Sequence, residues 1–138
     1  MYMTQVIRLA LLLFCCATFN AAFGQKSFTN CTAAFLNNKI VVDEYSPQGK
    51  CALAADATGL LTVCTADLLP TSSMAVDKIT FKIAIRDQNT KTLVMYSNEE
   101  FQQVDVQKLL AKCRKGDHIV LLTLNEQYAL PHNEILVL

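Results

Sequence analysis

Hydrophobic and polar residues alternate along much of the chain, and this pattern predicts short β-strands separated by turns. The clearest example is residues 78–86, where every second residue from Ile79 to Ile85 is large and apolar and most of the others are polar. Such alternation is typical of a strand in a sheet with one solvated face. Residues 118–124 are apolar on both faces instead, which predicts a central strand.

Turn signals separate the remaining strand candidates. Asn37 and Asn38 tolerate the left-handed conformation, so they predict a hairpin. A polar turn at residues 87–90 predicts a second hairpin, and residues 125–133 read as a loop. The other predicted strands are residues 32–36, 39–45, 51–55, 59–69, 91–96 and 134–138.

One amphipathic helix is predicted from about residue 104 onward. Its buried stripe recurs at helical spacing and consists of Val106, Leu109, Leu110 and Cys113. The Ser-x-x-Glu spacing of Ser97 and Glu100 is typical of a helix start. The sequence therefore predicts an α+β fold, mostly antiparallel β-sheet or sandwich, with one helix packed on it.

A basic cluster follows the predicted helix stripe. Lys112, Arg114 and Lys115 would fill the last helical turn, where positive charge complements the backbone carbonyls, and Gly116 would supply a left-handed cap. This local role is favoured over a binding patch.

The first 24 residues have the order of a secretory signal peptide. Arg8 precedes a short apolar stretch at residues 9–19, and the small residues Ala22 and Gly24 predict cleavage before Gln25. A membrane anchor is disfavoured because a spanning helix needs about 20 apolar residues. A lipid-modified Cys15 or Cys16 is disfavoured because bulky Phe14 precedes them. Residues 25–138 are then predicted to form one exported domain, secreted or periplasmic.

Charge gives no reason to expect nucleic acid or an anionic membrane as a partner. Acidic and basic residues are equal in number over the whole chain, and signal cleavage removes only Arg8. Nucleic-acid and membrane surfaces select clustered Lys and Arg, which the scattered charges do not provide. We expect a protein partner, no nucleic acid and no stable membrane insertion after cleavage.

Four cysteines remain after cleavage, and an even number in an exported protein predicts disulfides. Cys51 and Cys64 lie in neighbouring predicted strands and are the first choice for a bridge, which leaves Cys31 with Cys113. Buried free thiols are the alternative, especially for Cys113. A metal site is not expected, because these four cysteines include no C-x-x-C pair, and no cofactor is predicted.

No catalytic residue is predicted. His118 and His132 are outside any nucleophile motif, and adjacent Asp117 and His118 side chains diverge at a strand start. Ser72, Ser73 and Ser97 suit loops and caps, and the adjacent Glu99 and Glu100 make a poor acid–base pair.

The C-terminal half, residues 78–138, resembles a known family in its order of elements. An alternating strand, a return strand, Phe101, a helix ending in Cys-Arg-Lys-Gly-Asp at residues 113–117, and two apolar strands follow one another. This order resembles the C-terminal periplasmic domain of the gliding-motility M-type protein of type IX secretion. That family carries a membrane anchor and further domains, and a glycine-rich turn where this chain has residues 125–133. The resemblance implies a β-rich interaction domain without catalytic residues.

The sequence thus favours a non-catalytic protein-interaction or structural domain of the periplasm or cell surface. A secreted carbohydrate-binding, lectin-like module is an alternative, with Tyr45, Tyr96 and Tyr128 as stacking residues, although the chain has no Trp. A small hydrolase is the other alternative. A polar cleft would favour the lectin, and an unpaired edge strand the interaction domain.

Overall fold

The computed structural model describes residues 30–42, 51–68 and 73–138. In these ranges the chain forms short strands and one helix of a single turn. They are β1 (Asn30–Leu36), β2 (Lys39–Ile40), β3 (Ala52–Leu53), β4 (Leu60–Leu68), β5 (Ser73–Lys78), β6 (Phe81–Arg86), β7 (Leu93–Met95), β8 (Val104–Asp105), α1 (Val106–Leu110), β9 (His118–Thr123), β10 (Tyr128–Ala129) and β11 (Glu134–Val137).

The strands build two sheets. Sheet A has the order β10-β1-β4-β5, with β2 added to β1 and β8 added to β4. Sheet B has the order β3-β11-β9-β6-β7. Among the described pairs β1–β10 and β3–β11 are parallel and the others antiparallel. The predicted α+β class, mostly antiparallel with one helix, is confirmed, and β9 is a central strand as predicted.

Both sheets contribute to one hydrophobic core. Leu61 and Val63 of sheet A and Phe81 and Ile119 of sheet B are completely or almost completely buried in it. Each side chain of this size contributes about 1.5–3 kcal/mol when it leaves water. Helix α1 adds Val106, Leu109 and Leu110 of the predicted stripe to the same core, whereas Cys113, its fourth predicted member, lies beyond the helix and is only partly buried against the core.

The two halves of the chain exchange strands. Sheet A is built mainly from residues before the short crossover at Ile79 and Thr80, and sheet B mainly from residues after it. However, β3 from the first half joins sheet B, while β8 and β10 from the second half join sheet A. Neither sheet is complete without strands from both halves.

The predicted strand at residues 78–86 is divided in the structure. Strand β5 ends at Lys78 in sheet A, and β6 begins at Phe81 in sheet B. The first part of β5, Ser73, was predicted as loop. The hairpin at Asn37 and Asn38 is confirmed, since both residues have positive φ, 49° and 65°.

Helix α1 begins close to the predicted start near residue 104, but its cap and its C-terminal end differ from the prediction. Its N-cap is Asp105, whose carboxylate accepts a hydrogen bond of 2.9 Å from the Gln107 N–H. Ser97 caps no helix; its hydroxyl accepts from the Glu99 N–H in a local turn. Helix α1 ends at Leu110, so the basic cluster lies beyond it. Gly116 has the predicted positive φ, 93°, but in a later turn.

The four cysteines form no disulfide with one another. Cys51 packs in the core between the sheets, whereas Cys64 packs with Ala33 and Phe35 on the opposite face of sheet A. Strand alternation places Cys31 on that same opposite face, while Cys113 contacts the core. Each predicted pair, Cys51–Cys64 and Cys31–Cys113, would therefore have to cross a sheet, and a disulfide needs Cα atoms within about 7 Å.

The predicted signal peptide, residues 1–24, lies outside the described residues. In the part of the chain that the structure describes, no helix has the length and apolar character needed to cross a membrane.

Candidate interaction site

Strand β7 is the most exposed apolar segment of sheet B. Leu93, Val94 and Met95 are consecutive, and their exposed fractions are 43, 60 and 42 %. The strand is the last of sheet B and, among the described residues, pairs only with β6. Natural proteins usually protect such an edge with charges, proline or a bulge, and these three residues include none of them.

The backbone of β7 leaves hydrogen-bonding groups directed away from the sheet. The Thr92 carbonyl accepts a bond of 3.0 Å from the N–H that follows β6, and the Tyr96 N–H donates one of 2.9 Å to β6. Because bonding alternates along an antiparallel strand, Leu93 and Met95 direct their N–H and C=O groups to the open side. These groups are positioned to bond a further strand.

A groove of about 320 Å³ lies along one face of this edge. Thr92, Val94 and Tyr96 share that face, and the segment after helix α1 lines the other side with Lys112 and Arg114. We call these five residues the basic groove; the carboxylates of Asp87 and Asp117 also line it, so its formal charges balance. Its floor includes Ile85, the residue opposite Val94 on β6.

Aromatic contacts hold the Tyr96 wall of the basic groove. The Tyr96 ring lies 6.1 Å from the Phe101 ring, and Phe101 lies 6.3 Å from Phe81 in the core. Two backbone hydrogen bonds of 2.8 Å join Phe101 and Phe81. The Lys112 ammonium lies 4.6 Å from the centre of the Tyr96 ring, within cation–π range. The ammonium is thus held over the groove.

The carboxylates near the basic groove are already bonded to backbone N–H groups. Asp117 is buried and accepts from the Gln88 N–H at 3.0 Å and the Arg114 N–H at 2.8 Å. Asp87 accepts from Thr90 and Asn89, and these N–H groups hold the pKa of Asp87 below its ordinary value. Among the described residues, neither Lys112 nor Arg114 forms a direct ion pair, but the charge of Arg114 also contributes to the lowered pKa of Asp87.

The described residues that the sequence offers for catalysis lie in different parts of the fold. His118 is half-buried at the start of β9, and both oxygens of neighbouring Asp117 accept hydrogen bonds from backbone N–H groups. Glu99 and Glu100 are exposed. Ser72 lies outside the described residues. No group of three potential metal ligands occurs in the described ranges.

Cys113 is chemically protected rather than reactive. Burial, followed by the negative charge of Asp117, raises the pKa of Cys113 to about 11. Its thiol donates to the Leu109 carbonyl at 3.4 Å. The neutral thiol is a poor nucleophile, which agrees with the packing role predicted as the alternative to a disulfide.

The tyrosines do not form an open stacking surface in the described part of the chain. Tyr96 is covered by Lys112 and Phe101, and Tyr45 lies outside the described residues. Tyr128 borders a wide cleft of about 700 Å³, whose walls combine apolar Leu124 and Leu130 with polar Thr123, Asn125 and Glu126.

The β7 edge was not singled out by sequence reasoning. Its signal is a run of three apolar residues within a short strand, which is unusual unless the strand is buried on both faces or has a function. The sequence predicts the basic cluster at the end of a helix, whereas α1 ends before it, at Leu110.

No protein-family model, curated protein or solved structure matches the chain. The fold and this site together define a two-sheet, β-rich domain whose exposed apolar edge strand β7 borders a groove lined by two cations and two carboxylates.

Proposed function

We propose that the chain is an exported, non-catalytic protein-interaction or structural domain that acts in the periplasm or at the cell surface. This proposal is supported best by edge strand β7, whose outward backbone groups and three exposed apolar side chains are accessible to another protein. An unpaired edge of this kind supports strand addition by a partner. The resemblance of residues 78–138 extends the proposal to a role beside secretion or gliding machinery.

Affinity capture from envelope extracts tests the interaction with two matched variants. Val94 on β7 and Val76 on β5 are the same residue type on edge strands, with exposed fractions of 60 and 62 %. We expect wild type and Val76→Lys to retain the same protein and Val94→Lys to lose it. If wild type enriches nothing beyond what both variants enrich, the interaction function is refuted.

The export part has a separate test. Mass spectrometry of the mature protein from its native host should show Gln25 as the first residue. An intact Met1, or a lipid on Cys15 or Cys16, would contradict cleavage at this position.

A further inference from the structure

We infer that β7 is the interface of a symmetric dimer, in which a second copy of this chain adds its own β7 as an antiparallel strand paired about Val94. This inference rests on the proposed interaction function and names the partner. Three features carry it: the outward backbone groups of β7, the match of its side chains to themselves under two-fold symmetry, and the placement of charges along the basic groove.

The backbone of β7 permits two-fold pairing in a defined register. Thr92 and Tyr96 bond to β6 and the turn after it, whereas Leu93 and Met95 direct their N–H and C=O groups outward. A two-fold axis at Val94, perpendicular to the sheet, places Leu93 of each copy opposite Met95 of the other. Each of these pairs then exchanges both of its backbone hydrogen bonds, and the two copies of sheet B become one continuous sheet.

The side chains of β7 match themselves in this register. On the face of sheet B away from the core, exposed Leu93 packs against exposed Met95 of the second copy. On the face of the basic groove, Val94 lies opposite Val94, and Thr92 lies opposite Tyr96. Apolar, β-branched and aromatic–β-branched pairs of this kind stabilise neighbouring antiparallel strands. Strand β7 carries no charge that would oppose itself.

The charges of the basic groove differ between its two ends. Asp87 lies at the Thr92 end, because its N–H donates to the Thr92 carbonyl at 3.0 Å. Lys112 lies at the other end, where its ammonium is 4.6 Å from the centre of the Tyr96 ring. Antiparallel pairing brings the Thr92 end of each copy next to the Tyr96 end of the other. The carboxylate of Asp87 in one copy therefore lies on the side of the Lys112 ammonium in the other.

The remaining charges near this edge agree with the same pairing. Arg114 and Asp117 line the groove on the side of the turn after β6, where they formally balance each other. Lys91, exposed just before β7, comes to the end of the second copy's strand, where Glu99 and Glu100 are exposed. A two-fold interface must be complementary to itself, and unlike charges at its two ends meet this condition. The strand and the groove therefore favour a second copy as the occupant.

The contact is small, so we expect a weak dimer. It consists of one strand edge and the exposed parts of the β7 side chains, which is less than the roughly 1,200 Å² that a stable interface buries. The expected dissociation constant is on the order of 10–100 μM.

Sedimentation equilibrium of the mature protein tests the dimer, with matched variants of the two exposed edge-strand valines. Wild type and Val76→Lys should dimerise alike. Val94→Lys places like charges directly opposite each other at the axis and should weaken the dimer about tenfold. Val94→Thr keeps a β-branched side chain and should weaken it less. Circular dichroism of each variant should match wild type, since Val76 and Val94 are exposed.

A mixture of Val94→Lys and Val94→Glu tests the register. Only where residue 94 of one copy faces residue 94 of the other does Lys oppose Glu in the mixed dimer and like charge oppose like charge in each variant alone. We expect the mixture to associate about tenfold more tightly than either variant alone at low salt, and this difference should shrink as salt is added.

Three results would each overturn the β7 dimer: wild type that stays monomeric up to about 1 mM, a dimer that Val94→Lys does not weaken, or a mixture that associates no more tightly than its components. If sedimentation fails while envelope capture retains a different protein that Val94→Lys loses, the interaction function stands and the second copy is the wrong partner. Capture of the untagged chain itself would support both inferences, and failure of sedimentation and capture together would refute both.

Discussion

The buried carboxylate of Asp117 ties together the two loops that border the basic groove. One oxygen accepts from Gln88 in the turn between β6 and β7, and the other accepts from Arg114 in the segment after helix α1. Asp117→Ala removes both acceptors at once. The N–H groups of Gln88 and Arg114, which are partly buried, then lack their hydrogen-bond acceptor.

The cost follows from the number and kind of bonds that are lost. A hydrogen bond to a charged group contributes about 1.5–3 kcal/mol, and two that share one carboxylate are not fully additive. Water reaches part of the space left by the side chain and recovers some of the loss. We therefore expect Asp117→Ala to lower the free energy of unfolding by about 3 kcal/mol, a large share of the stability of a small domain.

Urea unfolding followed by circular dichroism measures this change, with Asp77→Ala as the control. Asp77 is an exposed carboxylate on edge strand β5, and its removal should cost less than about 0.5 kcal/mol. The free energies of unfolding of Asp117→Ala and Asp77→Ala should differ by more than about 0.5 kcal/mol, which is roughly the experimental error. A smaller difference would show that the Asp117 carboxylate does not link the two loops.

Further outcomes follow from the core, a thiol and a turn. Leu109→Ala should cost about 2–5 kcal/mol in urea unfolding, while exposed Lys108→Ala should cost less than about 0.5 kcal/mol; equal midpoints would contradict the packing of α1. The rate at which native Cys113 reacts with iodoacetamide should rise with pH with a midpoint near 11, against about 8.5 for the protein in urea. Mass spectrometry of the labelled peptide measures both profiles. Identical profiles would contradict the raised pKa of the folded thiol. The lowered pKa of Asp87 stabilises the fold above the pKa of the unfolded carboxyl, and this contribution is lost as pH falls through the folded pKa. The free energy of unfolding of Asp87→Asn, measured in urea, should therefore fall less than that of wild type between about pH 6 and pH 3. An equal fall would contradict stabilisation of the turn by the ionised Asp87 carboxylate.

Periodicity was sufficient to predict the buried faces. The alternation that placed Phe81 and Ile83 inward and the stripe of Val106 and Leu109 both match the core. These predictions succeed because the local pattern of apolar residues records burial directly.

The same pattern does not show which sheet a strand joins. Both sheets border one core, so the alternation continues through Ile79 although the chain changes sheets between Lys78 and Phe81. The directions of the Cys51 and Cys64 side chains also depend on which sheet each strand joins. The two cysteines lie in neighbouring predicted strands, which suggested a disulfide, but the structure places them on opposite sides of sheet A.

The helix boundary and the interaction site needed tertiary information. Ser97 and Asp105 are both good cap residues, and only the pairing of β8 with β4 brings the start of α1 to Asp105. Lys112 could be assigned to the basic groove only once the helix was seen to end at Leu110. The exposure of β7 depends on strand order, which alternation does not encode.

The exchange of strands between the two halves has a consequence for fragments of this protein. A fragment that starts after Thr80 retains most of sheet B but lacks β4, whose Leu61 and Val63 cover the core. It also lacks β3, the parallel neighbour of β11. Such a fragment should stay unfolded alone and regain structure when mixed with residues 25–80, because each piece carries strands that complete the sheet of the other. The chain is then a natural candidate for split-protein complementation.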